Sequence, residues 1–416
     1  MITSDSLPAR LCREAQALFP EVQRLRRELH MYPELSNREE RTGRLVAAYL
    51  ERLGLAVTAG VAGFGVVADL EGARPGPTVA WRADMDALPI SEPPDKPWSS
   101  RHPGVMHACG HDLHLAIALG AARLLQEHRQ ELRGRCRFIF QPAEEGLPPG
   151  EVGGAELMVR AGVLAEPQVE AICGLHVAPM LAVGKLGCTA DVVMAGADRL
   201  RLEISGRQAH AATPHHGVDA IVVAAQALTL LQAVIAQGKD ARAPAVLTFG
   251  TIAGGSRFNI LAEQVVLEGT LRHHEPKVRE TVLAKVHRLL EGLTAGTGAA
   301  YTLTSQALYP VLRNDPELSR RAMAILGAAF APQDLVSVQP VMGSEDFAFF
   351  AQEVPAFYFF LGTRGPGVER QTLHSPDFDP DEGALTVGLT AAALLLTGLS
   401  GTWTPQSQHS PRSADH

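Results

Sequence analysis

The chain has 416 residues, 46% of them hydrophobic and 20% charged. At about 150 residues per domain this predicts two or three domains, each able to bury a full core. Disorder over most of the length is excluded because low hydrophobicity and high charge are both missing. The 39 Gly and 28 Pro are spread without a period, which excludes collagen-like character. A formal charge of −8 and 5% aromatic residues argue against phosphate-backbone binding and base stacking, so no nucleic-acid partner is expected.

Cysteines stand at 12, 109, 136, 173 and 188, an odd count with no CxxC pair. This reads as reduced thiols in a cytoplasmic protein. The start, MITSDSLPAR, lacks an apolar signal core after a basic stretch. Apolar runs near 220–237 and 385–399 are interrupted or short. They are read as buried amphipathic helices, with no membrane span.

In chain order, residues 20–30 predict a helix with Pro20 in its first turn. Ser36 or Asn37 is placed to cap a second helix running to Gly54, with Glu39 and Glu40 in its first turn. Strand-like runs follow at FGVVADL, PTVAWRAD, CRFIFQP and VEAICGLHV, with helical periodicity at 112–128 and 153–161. This alternation predicts an α/β domain, a mostly parallel sheet with helices on both faces. Residues 195–310 change rhythm to strand, long helix, two strands, helix, strand. That order suits an inserted α+β domain with an antiparallel sheet. A helix at 315–330, the strand AFYFFLG and a helix at 380–398 then resume the first style. The expected organisation is one discontinuous domain (1–194 and 311–402), an insert (195–310) and a loose tail (403–416).

Three strand-like runs lead into polar clusters: Asp84 and Asp86 after PTVAWR, Glu144 and Glu145 after CRFIFQPA, and His176 after VEAICGL. His374 follows AFYFFLG after a loop. Ligands of open α/β sheets bind beyond the carboxyl ends of strands, so these clusters are expected to converge. A denser cluster, His107 to His114, holds three histidines, Cys109 and Asp112. Thiolate, imidazole and carboxylate together favour zinc or another borderline divalent metal, and Gly110 lets Cys109 and His111 turn toward one point. Taken alone, Cys109 reads as a small buried hydrophobe, and His107 and His114 as core histidines with satisfied hydrogen bonds. The case rests on joint placement.

The motifs RRELHMYPELSNREERT, RADMDALPISE, MHACGHDLH, FQPAEEG with GGAELM, GLHV, GRQAHAATPHHGVDAI, SEDFAFF and LHSPDFDP resemble, in order, those of the M20 metallopeptidase family over roughly residues 20–400. The likeness is to its amidohydrolase branch of hippurate, N-acyl-amino-acid and auxin-conjugate hydrolases. It implies a catalytic domain with two divalent metal ions (zinc, manganese, cobalt or nickel), and an inserted lid domain through which subunits form a homodimer or higher homo-oligomer. It implies that Cys109 bridges the metals, that His111, Glu145, His176 and His374 complete the ligand set, and that Glu144 is the general base. Asp86 would orient a ligand; Asp84 stands where related branches place a metal-binding histidine. In the lid, the resemblance makes His210 the oxyanion donor, in its own or a neighbouring subunit's site, and Asn259 and Arg272 substrate-binding residues. The implied reaction is metal-dependent cleavage of a small N-acyl-amino acid to a carboxylic acid and a free amino acid. A dipeptidase or aminopeptidase at the same site is the near alternative. A hydrolase using Cys109 as nucleophile and a non-catalytic binding module are the distant ones.

Overall fold

The computed structural model describes residues 6–146, 151 and 153–403. The chain divides into two compact units. The first runs up to Val193, continues at Arg313–Gln339 and resumes from Phe349; the second comprises Met194–Leu312 and Pro340–Ala348. The second unit thus recruits residues 340–348, which lie beyond the insert's expected end.

The first unit contains α1 (Leu7–Ala17), α2 (Phe19–Met31), α3 (Glu40–Arg52), β1 (Ala56–Val61), β2 (Gly65–Glu71), β3 (Arg74–Asp84), α4 (His111–Glu127), β4 (Arg133–Gln141), α5 (Gly154–Arg160), β5 (Val169–Ala182) and β6 (Leu186–Cys188). The short β7 (Val192–Met194) leads the chain out of this unit. The second unit holds β8 (Gly196–Ser205), α6 (Ala220–Gln237), β9 (Ala245–Gly254), β10 (Gln264–His273), α7 (Pro276–Thr297) and β11 (Ala300–Tyr309). Return is through β12 (Leu312–Arg313), followed by α8 (Pro316–Gly327), β13 (Leu335–Ser337), α9 (Ala348–Glu353), β14 (Ala356–Arg364) and α10 (Ala384–Thr402).

The eight-stranded sheet of the first unit has the order β1-β2-β4-β3-β5-β14-β6-β13. Its centre, β4-β3-β5-β14, is parallel. β1 and β2 extend it antiparallel on one side, and β6 pairs antiparallel with β14 on the other. Buried parallel strands read as apolar runs, and β3 is buried continuously over its last seven residues. Helix α10 is apolar all round because it is buried nearly all round: Leu385, Leu389, Ala392, Leu395 and Leu399 join one core with Phe138, Phe140, Trp81 and α4 residues such as Leu115 and Leu119. The expected tail is shorter than 403–416. Trp403 is buried and donates its indole N–H to Glu170 O at 2.9 Å. Residues 404–416 lie outside the described residues.

The second unit is a four-stranded antiparallel sheet, β11-β8-β10-β9, with α6 and α7 packed on it. Leu200, Leu202 and Ile204 of β8 alternate inward with α6 residues Val223, Ala227 and Leu231 and α7 residues Val282, Val286 and Leu290. α6 departs from the expected buried helix, because Ile221, Val222 and Leu230 remain exposed.

The helix expected after Ser36 or Asn37 begins later, at Glu40, with Glu39 as its N-cap. Asn37 takes a left-handed backbone (φ 58°). The Ser36 hydroxyl is spent elsewhere, on Asp86. α1 carries no motif and was not anticipated.

Candidate metal centre

β3 and β4 are in parallel register with Asp84 opposite Gln141, and β3 and β5 with Arg82 opposite Gly174. Asp84 at the end of β3 and His176 in β5 therefore lie at about one level, and Glu144 follows in the loop just beyond the Gln141 end of β4. His176 is a correction in detail. β5 continues to Ala182, so the residue sits inside a strand that outruns β3. It is exposed to the site because β3 stops pairing at Gly174.

Cys109 and His111 flank Gly110, the N-cap of α4, at φ 86°. A Cβ there would lie 2.5 Å from Val177 Cγ2, so both conformation and space require glycine. Ala143, just before Glu144, is also left-handed (φ 57°), as is His374 (φ 59°). Strain of this kind, about 1–2 kcal/mol per residue, persists where surroundings enforce it. His374 N donates to Ala108 O at 2.9 Å, which ties its loop to the segment entering Cys109.

Two of the three imidazoles are fixed in the same way. His111 Nδ1–H donates to Asp86 O at 2.8 Å, and His176 Nδ1–H to Val177 O at 2.7 Å. Each thereby presents Nε2, and not Nδ1, to the site. His176 Nε2 and His374 Nε2 each lie 3.3 Å from Cys109 Sγ. His374 Nε2 is 3.3 Å from Glu145 Oε1, and His111 Nε2 is 3.8 Å from it and 3.9 Å from Glu144 Oε2. Ligand atoms held at about 2.0–2.3 Å from one cation stand about 3–4 Å apart. His111 Nε2 is buried without a hydrogen-bond partner among the described residues. Two donor groups, Cys109–His111–His176 and Cys109–Glu145–His374, share the thiol, and a third joins His111 with Glu144 and Glu145.

The electrostatics agree with a cation at this place. Burial pushes the Cys109 thiol well above its usual range, and Glu145 and Glu144 push it further. Burial alone would lower His111, but Asp84, Asp86 and Glu145 overcome that and raise it to about 10. The site is a buried excess of carboxylate that calls for positive charge, and a metal is what converts such a thiol to thiolate. The thiol-nucleophile alternative fits poorly, since a reactive cysteine needs a lowered pKa.

Supporting contacts fix the donors. Asp86 Oδ2 accepts from Ser36 Oγ (2.7 Å) and Glu145 N (2.9 Å), and Oδ1 lies 3.2 Å from His111 Nδ1. Asp84, whose role the motifs left open, has both oxygens engaged. Oδ2 accepts from buried Arg82 at 2.7 Å and Oδ1 from His114 Nδ1 at 2.6 Å. It stays 3.6 Å from His111 Nε2. His114 Nε2 accepts from Val177 N at 3.0 Å, so His114 is a satisfied core histidine as read. His107 is not. It is buried with neither ring nitrogen partnered among the described residues, and burial pushes its pKa down to about 4, keeping it neutral. Asp112 is held by Arg26 Nε at 2.7 Å and His30 Nδ1 at 2.8 Å. Ser36 was missed as a site residue because an N-terminal serine before a helix is an equally good cap.

In the second unit, His210 is exposed and pairs by an isolated bridge with Ile260. Ala211 N donates to Asn259 O at 3.0 Å, so two of the sequence-identified loops meet. His210 Nδ1 accepts from Ala212 N at 3.0 Å, which places the ring proton on Nε2 as a donor. Arg272 is half-buried, with Nη1 donating to Met342 O at 2.9 Å and lying 3.3 Å from Ser344 Oγ.

The model of peptidase family M20/M25/M40 matches residues 80–397. The chain is 37% identical over 361 residues to an N-acetyl-L-cysteine deacetylase of Bacillus subtilis, covering 87% of this chain and 84% of that one. It is 36% identical over 382 residues to thermostable carboxypeptidase 1 of Saccharolobus solfataricus, covering 90% and 94%. The crystal structure of the Bacillus subtilis YXEP protein, a dinuclear metal binding peptidase, superposes with a TM-score of 0.81 at 34% identity, over 93% of this chain and all of that one.

Proposed function

This chain belongs to peptidase family M20/M25/M40 and is a hydrolase of amide bonds, and from that premise we propose that its substrates are N-acyl-amino acids, cleaved to a carboxylic acid and a free amino acid. The observation that carries the reading is the donor set: the buried imidazoles of His111 and His176 and the exposed imidazole of His374, gathered with one shared, buried thiol and an adjacent pair of glutamates. Cys109, His111, His176, Glu145 and His374 would hold two divalent cations, with Cys109 common to both. Sulfur, nitrogen and carboxylate donors suit zinc, manganese, cobalt or nickel. Such ions, when bound, acidify water and polarise an amide carbonyl.

The chain supplies the proton traffic. Glu144, next to Glu145 and with Oε2 3.9 Å from His111 Nε2, accepts a proton from water as the oxygen attacks the carbonyl carbon. It returns that proton to the departing nitrogen as the C–N bond breaks. Asp86 keeps His111 in the tautomer that exposes Nε2. His210, with Nε2–H as donor, suits the oxyanion, and Asn259 and Arg272 remain the lid residues assigned to the substrate carboxylate or carbonyl. The unit carrying His210 exposes Ile221, Val222, Ile252 and Phe258, which supports self-association through that unit. The five free thiols support a reducing, cytoplasmic setting.

The test is Glu144→Gln assayed beside elemental analysis. Expected is a loss of turnover of at least about a hundredfold with metal content kept; near-native activity with metal present refutes the assignment. A panel of acetyl-, benzoyl- and aminoacyl-amino acids separates an acyl-amino-acid hydrolase from the peptidase alternative, which takes the free-amine substrates first.

A further inference from the structure

The side chain of Glu39 has no part in the site so far described, yet it is wholly buried. It occupies the N-cap position of α3, where an oxygen-bearing side chain ordinarily caps its own helix. It makes no such bond. Only its backbone serves the helix, with Gly43 N donating to Glu39 O at 2.8 Å. The carboxylate reaches across the sequence instead, and Oε1 accepts from Ala143 N at 2.8 Å. Oε2 is buried without a hydrogen-bond partner among the described residues. Burying a carboxylate with one oxygen left without a hydrogen-bond partner among the described residues is costly, and the fold carries that cost beside Glu144.

Ala143 is the left-handed residue (φ 57°) that turns the chain from β4 into Glu144. On the far side of Glu144, Glu145 N donates to Asp86 Oδ2 at 2.9 Å. The two amides flanking Glu144 are thus each held by a buried carboxylate from outside the loop, at a site where the loop backbone is strained. We infer that Glu39 is a positioning residue for the catalytic base: with Asp86 it forms a two-sided clamp on the 143–145 backbone that fixes where the Glu144 carboxylate points. The inference rests on the reading of Glu144 as base. Misplacement of a reacting group by about 1 Å costs up to about a hundredfold in rate, which sets the scale.

The experiment uses the full-length, metal-loaded enzyme on its best acyl-amino-acid substrate. Glu39→Ala removes the acceptor and is expected to lower kcat by about tenfold to a hundredfold, with KM and metal content nearly unchanged. Glu39→Gln keeps an oxygen acceptor for Ala143 N and is expected to restore most of kcat. A purely structural role predicts something else: lost activity proportional to lost folded or metal-loaded protein. If Glu39→Ala does not fold, the volume-matched Glu39→Met takes its place. The inference is overturned if the acceptor-less variant keeps kcat within about threefold, if its loss tracks metal content, or if Glu39→Gln is equally impaired. Glu144→Gln is assayed in parallel. If that variant stays active, the base assignment itself has failed; if it is inactive while Glu39→Ala is unimpaired, only the clamp has failed.

Discussion

Asp86→Asn changes one oxygen to nitrogen at constant volume, and the structure dictates which one. Oδ2 accepts from both Ser36 Oγ at 2.7 Å and Glu145 N at 2.9 Å, so the amide oxygen must remain there. The amide nitrogen then occupies the Oδ1 position, 3.2 Å from His111 Nδ1. Two N–H donors face each other. Burial raises the native Asp86 carboxyl, but the His111 contact and the Glu145 and Ser36 bonds outweigh it and hold the group ionised, so the substitution also removes a charge. His111 either crowds the new donor or shifts its proton to Nε2, which removes that nitrogen as a ligand. Loss of such an orienting partner costs about tenfold to a hundredfold in metal affinity. The Asp86 backbone oxygen survives the change and still accepts from His111 Nδ1 at 2.8 Å, which places the expectation at the lower end. A tenfold loss corresponds to about 1.4 kcal/mol. Metal titration by calorimetry, or activity against buffered free metal, measures it. A dissociation constant within about twofold of native would refute the argument that Asp86 sets the His111 tautomer.

Stripping metal with a chelator is expected to abolish hydrolysis and lower the melting temperature; restoring metal at a hundred times its dissociation constant returns about 2.7 kcal/mol, and an unchanged melting curve counts against a resident ion. Gly110→Ala meets both a left-handed backbone (φ 86°) and Val177 Cγ2 at 2.5 Å. A loss of about 2–5 kcal/mol is expected in denaturant unfolding of the metal-free protein, and wild-type stability would show that the turn can relax. Burial and then the Asp86 charge raise Glu39 from 4.5 to about 7. Between those values the unfolded chain has released a proton that the folded chain still holds, so the site's contribution to stability falls as pH rises through this window. Metal-free Glu39→Gln lacks that loss and is expected to gain on wild type by up to about 3 kcal/mol from pH 4.5 to 8. Superimposable stability–pH profiles would refute the burial argument.

Much of the fold was legible. The apolar runs of β3, β4, β5 and β14 mark a buried parallel centre, and the change of rhythm after 195 marks a second unit, because periodicity reports local burial directly. The edges were less legible: β1, β6 and β13 carry no run long enough to stand out. Trp403 looked like tail because nothing next to it in sequence is apolar; its partner, Glu170 O, is 233 residues away.

The residues of the candidate centre were legible for a different reason. Chemistry restricts which side chains serve as donors, so Cys109, His111, Glu145, His176 and His374 declare themselves by type and motif order. What they are held by does not. Ser36 and Glu39 look like the start of a helix. Only the packing of that segment behind the 143–145 loop sends the Ser36 hydroxyl to Asp86 and the Glu39 carboxylate to Ala143. Asp84 resembles a ligand until Arg82 and His114 are seen to take both its oxygens, and His107 resembles a satisfied histidine until neither ring nitrogen finds a hydrogen-bond partner among the described residues. The sequence by itself determined the elements, the two-unit organisation and the donor types, all properties of residue identity and short-range pattern. Tertiary structure alone decided tautomers, carboxylate partners and loop restraints, because each depends on strand register and on groups brought within 3 Å from positions as far apart in sequence as Ala108 and His374.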